Sequence, residues 1–185
     1  YSFIGSREFG SFAEYVRLPE RNVVRFDDTV SFEQGAFFEP ATVALHGLRR
    51  LSYTGGKNVA ILGGGTVGMM TAQWAQIFGA KTVTVFDILD ERLALAKRLG
   101  CDYGVNSSKE NYMDEVNRIT DGRGFDYIYE TAGNTITMRM AFALTANHAQ
   151  VCFIGTPTRE LSFSPAQWEQ INRKEFMLTG SWMSY

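Results

Sequence analysis

Cysteine, histidine and proline are scarce in this chain of 185 residues, which carries two Cys, two His and four Pro. Cys101 and Cys152 alone cannot build a four-thiolate zinc site or a disulfide framework. So few thiols fit a reducing compartment, and a cytoplasmic protein is expected. Basic charge is not in excess either. With 18 Lys and Arg against 20 Asp and Glu, the net charge is −2, and no nucleic-acid partner is expected. No apolar run approaches the roughly 18 residues that span a membrane, and no signal peptide opens the chain, so no membrane partner is expected. Neither an H-E-x-x-H segment nor a defensible Ser/His/Asp spacing is found. What is present is apolar: 45% of residues are hydrophobic and only 21% charged, which excludes a disordered chain. The length suits one good-sized domain, or one domain with an appendage. Residue 1 is Tyr, and the last residues run out as a strand, so a piece of a longer protein is expected.

The first forty residues differ from the rest. Phe12, Tyr15, Val16, Val23 and Val24 suggest short extended pieces, broken by Gly5, Gly10, Pro19 and Asp27-Asp28. Glu33 to Leu51 reads as helical, interrupted at Pro40, with Ser31 as a candidate N-cap. From Asn58 onward strands and helices alternate. Val59 to Leu62, Thr82 to Phe86, Tyr103 to Asn106, Phe125 to Glu130, Val151 to Ile154 and Phe176 to Ser181 read as strands. Thr66 to Phe78 is helical, with Val67, Met70, Trp74 and Ile77 on one face. Glu91 to Leu99 is a second helix, with Asp90 as N-cap and Gly100 as stop. A helical face at Tyr112, Val116 and Ile119 and a helix over Ile136 to Ala146 complete the set. This alternation predicts an α/β fold built on a doubly wound, parallel, six-stranded Rossmann sheet.

Gly63-Gly64-Gly65-Thr66-Val67-Gly68 fits G-x-G-x-x-G, between an expected strand and an expected helix. Gly63 allows the tight turn, Gly65 lets backbone approach a pyrophosphate, and Gly68 lets the helix pack close to the strand. The amides of Thr66 and Val67 then open a helix whose positive end suits phosphates. Asp87 closes the second strand about twenty residues further on, where a carboxylate accepts from ribose hydroxyls and repels a 2′-phosphate. That favours NAD over NADP; a helix cap at a strand end is the plainer alternative. Arg92 either stacks on the adenine, pairs with an acid or is a solvated helix charge.

Later strand ends are expected to line the same cofactor. They are Thr131-Ala132-Gly133 after Glu130, Ile154-Gly155-Thr156, and Trp182-Met183-Ser184 beyond Ser181. Taken singly, each is equally an ordinary strand-end turn. His46, in a helix with Val43, Leu45 and Leu48, reads as a core or cleft-wall residue. His148 reads as an exposed loop residue, Cys101 and Cys152 as structural thiols, and Asp27-Asp28 and Asp114-Glu115 as solvated acids.

The whole chain resembles the medium-chain, zinc-dependent alcohol and polyol dehydrogenases. The segments that carry this are Gly10-Ser11-Phe12-Ala13-Glu14-Tyr15-Val16, and Glu39-Pro40 followed by Val43-Ala44-Leu45-His46, similar to the sorbitol dehydrogenase branch. Phe3-Ile4-Gly5-Ser6-Arg7, Glu130-Thr131-Ala132-Gly133, and Arg173-Lys174-Glu175 leading to Gly180-Ser181-Trp182-Met183 extend it from end to end. Met183 stands where sorbitol dehydrogenases carry Arg, a departure that points to the branch acting on phosphorylated polyols.

The resemblance implies that residues 1–40 are the C-terminal part of a β-rich, GroES-like catalytic domain, and 41–185 an NAD-binding Rossmann domain. It implies oxidation of a secondary alcohol of a polyol or polyol phosphate, with hydride passing to NAD and zinc polarising the alcohol oxygen. The family's early Cys and Gly-His-Glu zinc ligands are not found in this sequence, so the catalytic residues are unknown and the isolated chain is expected to be inactive. Glu39 matches a late zinc-ligand position, where it binds the metal or holds its water; a helix-start acid is the alternative. Val67, Asp87 and Arg92 match positions for pyrophosphate, ribose and adenosine, and 154–156 and 182–184 match nicotinamide-side contacts. A homodimer through the last strand is implied. Another zinc polyol dehydrogenase, a zinc-free quinone-reductase-like enzyme and an NAD-sensing module stay open as alternatives.

Overall fold

The computed structural model describes residues 4, 5 and 8–184. Of the segment Phe3 to Arg7, residues Phe3, Ser6 and Arg7 lie outside the described residues. The chain divides into two compact units, 1–36 and 37–185.

In the first unit the extended pieces expected from Phe12 to Val24 do not become strands. Among the described residues only an isolated parallel bridge joins Ile4 to Glu8, and a 3-10 turn covers Glu20–Asn22. The reason is physical: a strand needs a paired neighbour and an apolar cover, whereas Phe9, Phe12 and Tyr15 are almost wholly exposed. Helix α1 (Phe32–Gly35) is a single turn held by a capping box. The Ser31 hydroxyl accepts from the Gln34 amide, and the Gln34 side chain accepts from the Ser31 amide.

The second unit starts with α2 (Phe38–Arg49). The helix break falls at Ala36–Phe37 rather than at Pro40. Pro40 lies in the first turn of α2, where a missing N–H costs no intrahelical bond. The alternation that follows is β1 (Asn58–Leu62), α3 (Thr66–Ile77), β2 (Thr82–Asp87), α4 (Asp90–Arg98), β3 (Tyr103–Asn106), α5 (Tyr112–Thr120) and β4 (Phe125–Glu130). After it come α6 (Thr135–Ala143), β5 (Thr145–Phe153), α7 (Pro165–Lys174) and β6 (Met177–Gly180).

All six strands are parallel, in the order β3-β2-β1-β4-β5-β6. The order reverses between β1 and β4, which makes that pair the topological switch point of a doubly wound sheet. β1 is buried at all five positions because both of its faces are covered. Val59 and Ile61 face a core layer with Leu48, Met69, Val85 and Tyr129. Ala60 and Leu62 face the opposite layer with Phe86, Ile128, Phe142 and Val151. On the first side α2 packs against α3, and the Trp74 indole N–H donates to the Ala41 carbonyl at 2.9 Å.

Several boundaries differ from the sequence expectation. Asp90 is the first residue of α4, with Leu89 at the N-cap; its carboxylate accepts from the Asn106 amide at 2.8 Å instead of capping. Helix α6 stops at Ala143, and Thr145 already pairs with Phe125 in the sheet. The β4–β5 register then shifts, so Tyr127 pairs with Gln150. This bulge places His148 inside β5 rather than in a preceding loop, exposed and at a left-handed φ of 59°. Helix α7 has no counterpart in the expectation. It starts at a second capping box, between Ser164 and Gln167, with Pro165 as its first residue.

Candidate functional site

The turn after β1 is built by three glycines for three different reasons. Gly63 has φ 106°, and a Cβ there would lie 2.9 Å from the Ala132 Cβ. A Cβ on Gly68 would lie only 1.8 Å from the Gly63 carbonyl oxygen, so no other residue lets α3 pack this close to the turn. Gly65 is at the N-cap of α3 with ordinary extended backbone, and a Cβ there would meet nothing within 4 Å. The fold itself does not require that glycine. It leaves open space in front of the amides of Thr66, Val67 and Gly68, which have no intrahelical acceptor and no capping side chain.

Asp87 ends β2 beside this space. It is buried, and its carboxylate accepts four hydrogen bonds. Oδ1 takes the amides of Ile88 and Leu89 at 2.8 and 2.9 Å, and Oδ2 takes the Gly64 amide at 2.8 Å and the Arg92 guanidinium at 3.2 Å. Burial pushes the carboxyl pKa up, but the Leu89 and Gly64 amides and Arg92 outweigh it and hold the group below the usual carboxylate range. Asp87 is therefore an ionised anchor for the glycine turn. Of its four partners only Arg92 is a side chain, and it is half-exposed. Arg92 thus pairs with an acid, at 3.2 Å from Asp87.

The turn after β4 packs directly on the glycine turn. The Thr131 hydroxyl lies 3.0 Å from the carbonyls of both Leu62 and Gly63. Gly133 takes φ 67° and comes so close to Thr156 that a Cβ would sit 2.8 Å from its carbonyl. The amides of Ile154 and Gly155 donate to the Glu130 carbonyl at 2.8 and 2.9 Å, which ties the β5 end to the β4 end. Beyond β6, Met183 is held at φ 64°, and Trp182 is exposed.

Gly63, Gly65, Asp87, Arg92, Thr131 and Ala132 together line one groove of about 330 Å³ across the β1–β4 switch point. Phe86, Ile88, Ser107, Asn134 and Thr137 complete its walls, and the last four continue into a wider cavity of about 800 Å³. Thr66, Val67 and Gly68 follow at the start of α3. Ile154, Gly155, Thr156, Trp182, Met183 and Ser184 do not line the groove; they lie at the same end of the sheet, past β5 and β6. Sequence reasoning missed Phe86, Ile88, Ser107, Asn134 and Thr137. Ser107 directly follows β3, so the strand-end rule that selected the other turns also pointed to it.

Glu39 lies in the first turn of α2 with an exposed side chain. Among the described residues no group of three or more His, Cys, Asp or Glu side chains could hold a metal ion. His46 is half-buried on α2. Cys101 and Cys152 are free thiols buried in the core, and burial pushes them up to about 11 and about 12. No helix of the described residues is long and apolar enough to cross a membrane.

Residues 66–185 match the family model described as zinc-binding dehydrogenase. The chain is 40% identical over 185 residues to galactitol 1-phosphate 5-dehydrogenase of Escherichia coli strain K12, covering all of this chain and 54% of that protein. It is 33% identical over 150 residues to sorbitol dehydrogenase of Bacillus subtilis, covering 81% and 42%. The crystal structure of the Escherichia coli galactitol-1-phosphate dehydrogenase superposes with a TM-score of 0.92 over all of this chain and 54% of that one. A Sinorhizobium meliloti structure described as a putative zinc-binding dehydrogenase bound to NADP is 30% identical, covers 98% and 53%, and gives 0.86. This chain spans about half the length of the curated relatives it matches.

Proposed function

The chain belongs to the zinc-binding dehydrogenase family, and on that basis we propose that it is the NAD-binding portion of an oxidoreductase acting on a polyol or polyol phosphate. In this proposal 41–185 form the cofactor domain and 1–40 the end of a GroES-like catalytic domain. One observation carries the cofactor assignment: the open face of Gly65 and the ionised carboxylate of Asp87 border the same groove at the switch point. A pyrophosphate fits before the α3 amides, where the helix dipole favours negative charge. The adenosine ribose fits against Asp87. The dinucleotide then crosses β1 toward the turns after β4, β5 and β6, where 131–133, 154–156 and 182–184 receive its nicotinamide half.

Bound there, NAD supplies the hydride acceptor that oxidation of an alcohol to a ketone requires. The chain's own residues bind and orient. Asp87 accepts a ribose hydroxyl in the place Arg92 now holds, and the rigid turn at Gly63 and Thr131 fixes the depth of the pyrophosphate. Small residues at 132, 133 and 155 let a flat ring lie on backbone. The described residues do not assemble a metal centre, so Glu39 supplies at most one carboxylate to a zinc site, and no step is assigned to the metal.

Similarity to the Escherichia coli enzyme supports galactitol 1-phosphate as substrate, its secondary alcohol becoming the ketone of tagatose 6-phosphate. The proposal includes a cytoplasmic homodimer paired through the free edge of β6, where Met177 and Leu178 are exposed. NADP is a second reading of the cofactor, favoured by the NADP-bound relative and opposed by the negative charge of Asp87. Fluorescence titration of the chain with NADH and NADPH separates them. NADH is expected to bind at least about tenfold more tightly, and equal or reversed affinities overturn the NAD assignment. Galactitol 1-phosphate with NAD is expected to give no turnover on the isolated chain. Observed NADH production would overturn the assignment of these residues as the cofactor-binding part only.

A further inference from the structure

Glu130 is the last residue of β4, fully buried, and it has no salt-bridge partner among the described residues. A carboxylate in such a place is costly unless donors surround it. Here they do. Oε1 accepts from the amides of Ala132 and Gly133, both at 3.0 Å, and from the Thr137 hydroxyl at 2.7 Å. Oε2 lies 3.3 Å from the Gly133 amide. On its other side Oε2 is only 2.7 Å from where a Cβ on Gly155 would stand, so the β5 turn closes directly over the carboxylate. The backbone carbonyl of Glu130 adds a second set of ties, to Ile154 and Gly155. One residue thus joins three pieces: the turn after β4, the turn after β5 and, through Thr137, the first turn of α6.

A buried Leu would fill this site at far lower desolvation cost. The carboxylate is kept against that cost, and what it fixes is the path of two turns at the groove and beside it. We propose that Glu130 is a positioning residue for the dinucleotide: it holds the Ala132–Gly133 and Gly155–Thr156 backbones at the spacing that receives the nicotinamide half. The inference rests on the cofactor reading above. Glu130 does not touch the ligand; it acts through the turns it ties. Burial raises its pKa by more than Thr137 and the two amides lower it, so it stands above the usual carboxylate range; the Oε1 contacts need only an acceptor, which a neutral amide also provides.

The test uses the 185-residue chain and two near-isosteric variants, with NADH and ADP as probes and thermal melting as a control. Glu130→Gln keeps an oxygen acceptor for Ala132, Gly133 and Thr137. It is expected to bind NADH within about threefold of wild type. Glu130→Met removes the acceptor at similar volume and leaves two amides unpaired. The freed Ala132–Gly133 turn then has to be ordered by the nicotinamide half, and NADH is expected to weaken by about tenfold or more. The unpaired amides also cost fold stability, so a lower melting temperature is expected as well and binding is measured below it. ADP, which lacks the nicotinamide half, is expected to lose less than about threefold. Equal losses of NADH and ADP affinity in Glu130→Met would mark a purely structural role and overturn the inference. So would unchanged NADH binding. Absence of NADH binding by the wild-type chain overturns the cofactor reading itself, a result distinct from either of these.

Discussion

Arg92 and the Gly64 amide donate to the same oxygen of Asp87, at 3.2 and 2.8 Å. The other oxygen is filled by the amides of Ile88 and Leu89. A carboxylate offers about four acceptor directions, so all are taken before any ligand arrives. On the proposed placement a ribose hydroxyl has to displace one donor, and Arg92 is the only one not fixed in the backbone.

From this the two side chains are expected to behave unequally. Asp87→Ala removes the acceptor and leaves three backbone amides without their partner. NADH affinity is expected to fall about tenfold or more, and the preference over NADPH to shrink, because the repulsion of a 2′-phosphate goes with the charge. Arg92→Ala only vacates a position the ribose takes in any case, and NADH affinity is expected to change by less than about threefold. Paired NADH and NADPH titrations of both variants check this. A larger loss in Arg92→Ala than in Asp87→Ala would refute displacement and favour stacking of Arg92 on the adenine.

Two glycines three residues apart are expected to separate stability from binding. Gly68→Ala places a methyl 1.8 Å from a backbone oxygen that cannot move without unmaking the turn. It is expected to destabilise the chain by about 2 kcal/mol or more. Gly65→Ala meets nothing and is expected to change stability by less than about 0.5 kcal/mol, while NADH binding falls because the methyl fills the phosphate space. Thermal melts and NADH titrations of both variants decide; a Gly65→Ala chain with normal NADH affinity is incompatible with a pyrophosphate at this turn.

The thiols of Cys101 and Cys152 are pushed up to about 11 and about 12 by burial. At pH 8 neither is a thiolate or accessible, so neither is expected to react with a thiol reagent in the folded chain. Both are expected to react once the chain is unfolded in denaturant. Stoichiometric labelling of either in the native chain would contradict the packing described above.

Acid dependence has a definite sign at Asp87. Its folded-state pKa is lowered from 3.8, so its ionised form stabilises the fold above that value, and the contribution is lost as pH falls through the lower folded-state value. The stability difference between wild type and Asp87→Asn is expected to be flat from about pH 5 to 8 and to shrink below about pH 4. A difference that instead shrinks toward high pH would mean the carboxyl is not held ionised by its donors.

Most of the sheet was legible because its strands are short apolar runs with helices on both sides. β3 and β4 fall on the expected residues, and β1 and β2 differ by one residue at an end. Helix α7 escaped notice because its residues bury none of their number, so no apolar stripe advertised it; only Ser164-Pro165 and Gln167 gave a local signal. The start of β5 falls inside the expected helix, since Thr145 and Ala146 look neutral to either state and only the pairing with Phe125 decides. At the site, the glycine turn and the position of Asp87 at a strand end could be read from sequence, because each follows from motif spacing and the strand boundary. Glu130 could not be: nothing in the letters says that its carboxylate is buried, or that residues from two other turns close around it.

The β1–β4 neighbourhood has one more consequence, for assembly of the chain. β3 and β4 are consecutive in sequence but lie at an edge and in the middle of the sheet, so the chain must pass over β2 and β1 between them. Gly63, Asp87 and Ser107 come from the half laid down before that crossing, and Thr131, Ala132 and Asn134 from the half after it. The groove is therefore a seam, absent until the two halves have docked. On the proposed cofactor placement a dinucleotide in it is expected to fasten them together, raising stability with free ligand as RT ln(1 + [L]/Kd). Two polypeptides divided between Asn106 and Phe125 become, on the same logic, complementary fragments whose reunion the dinucleotide promotes.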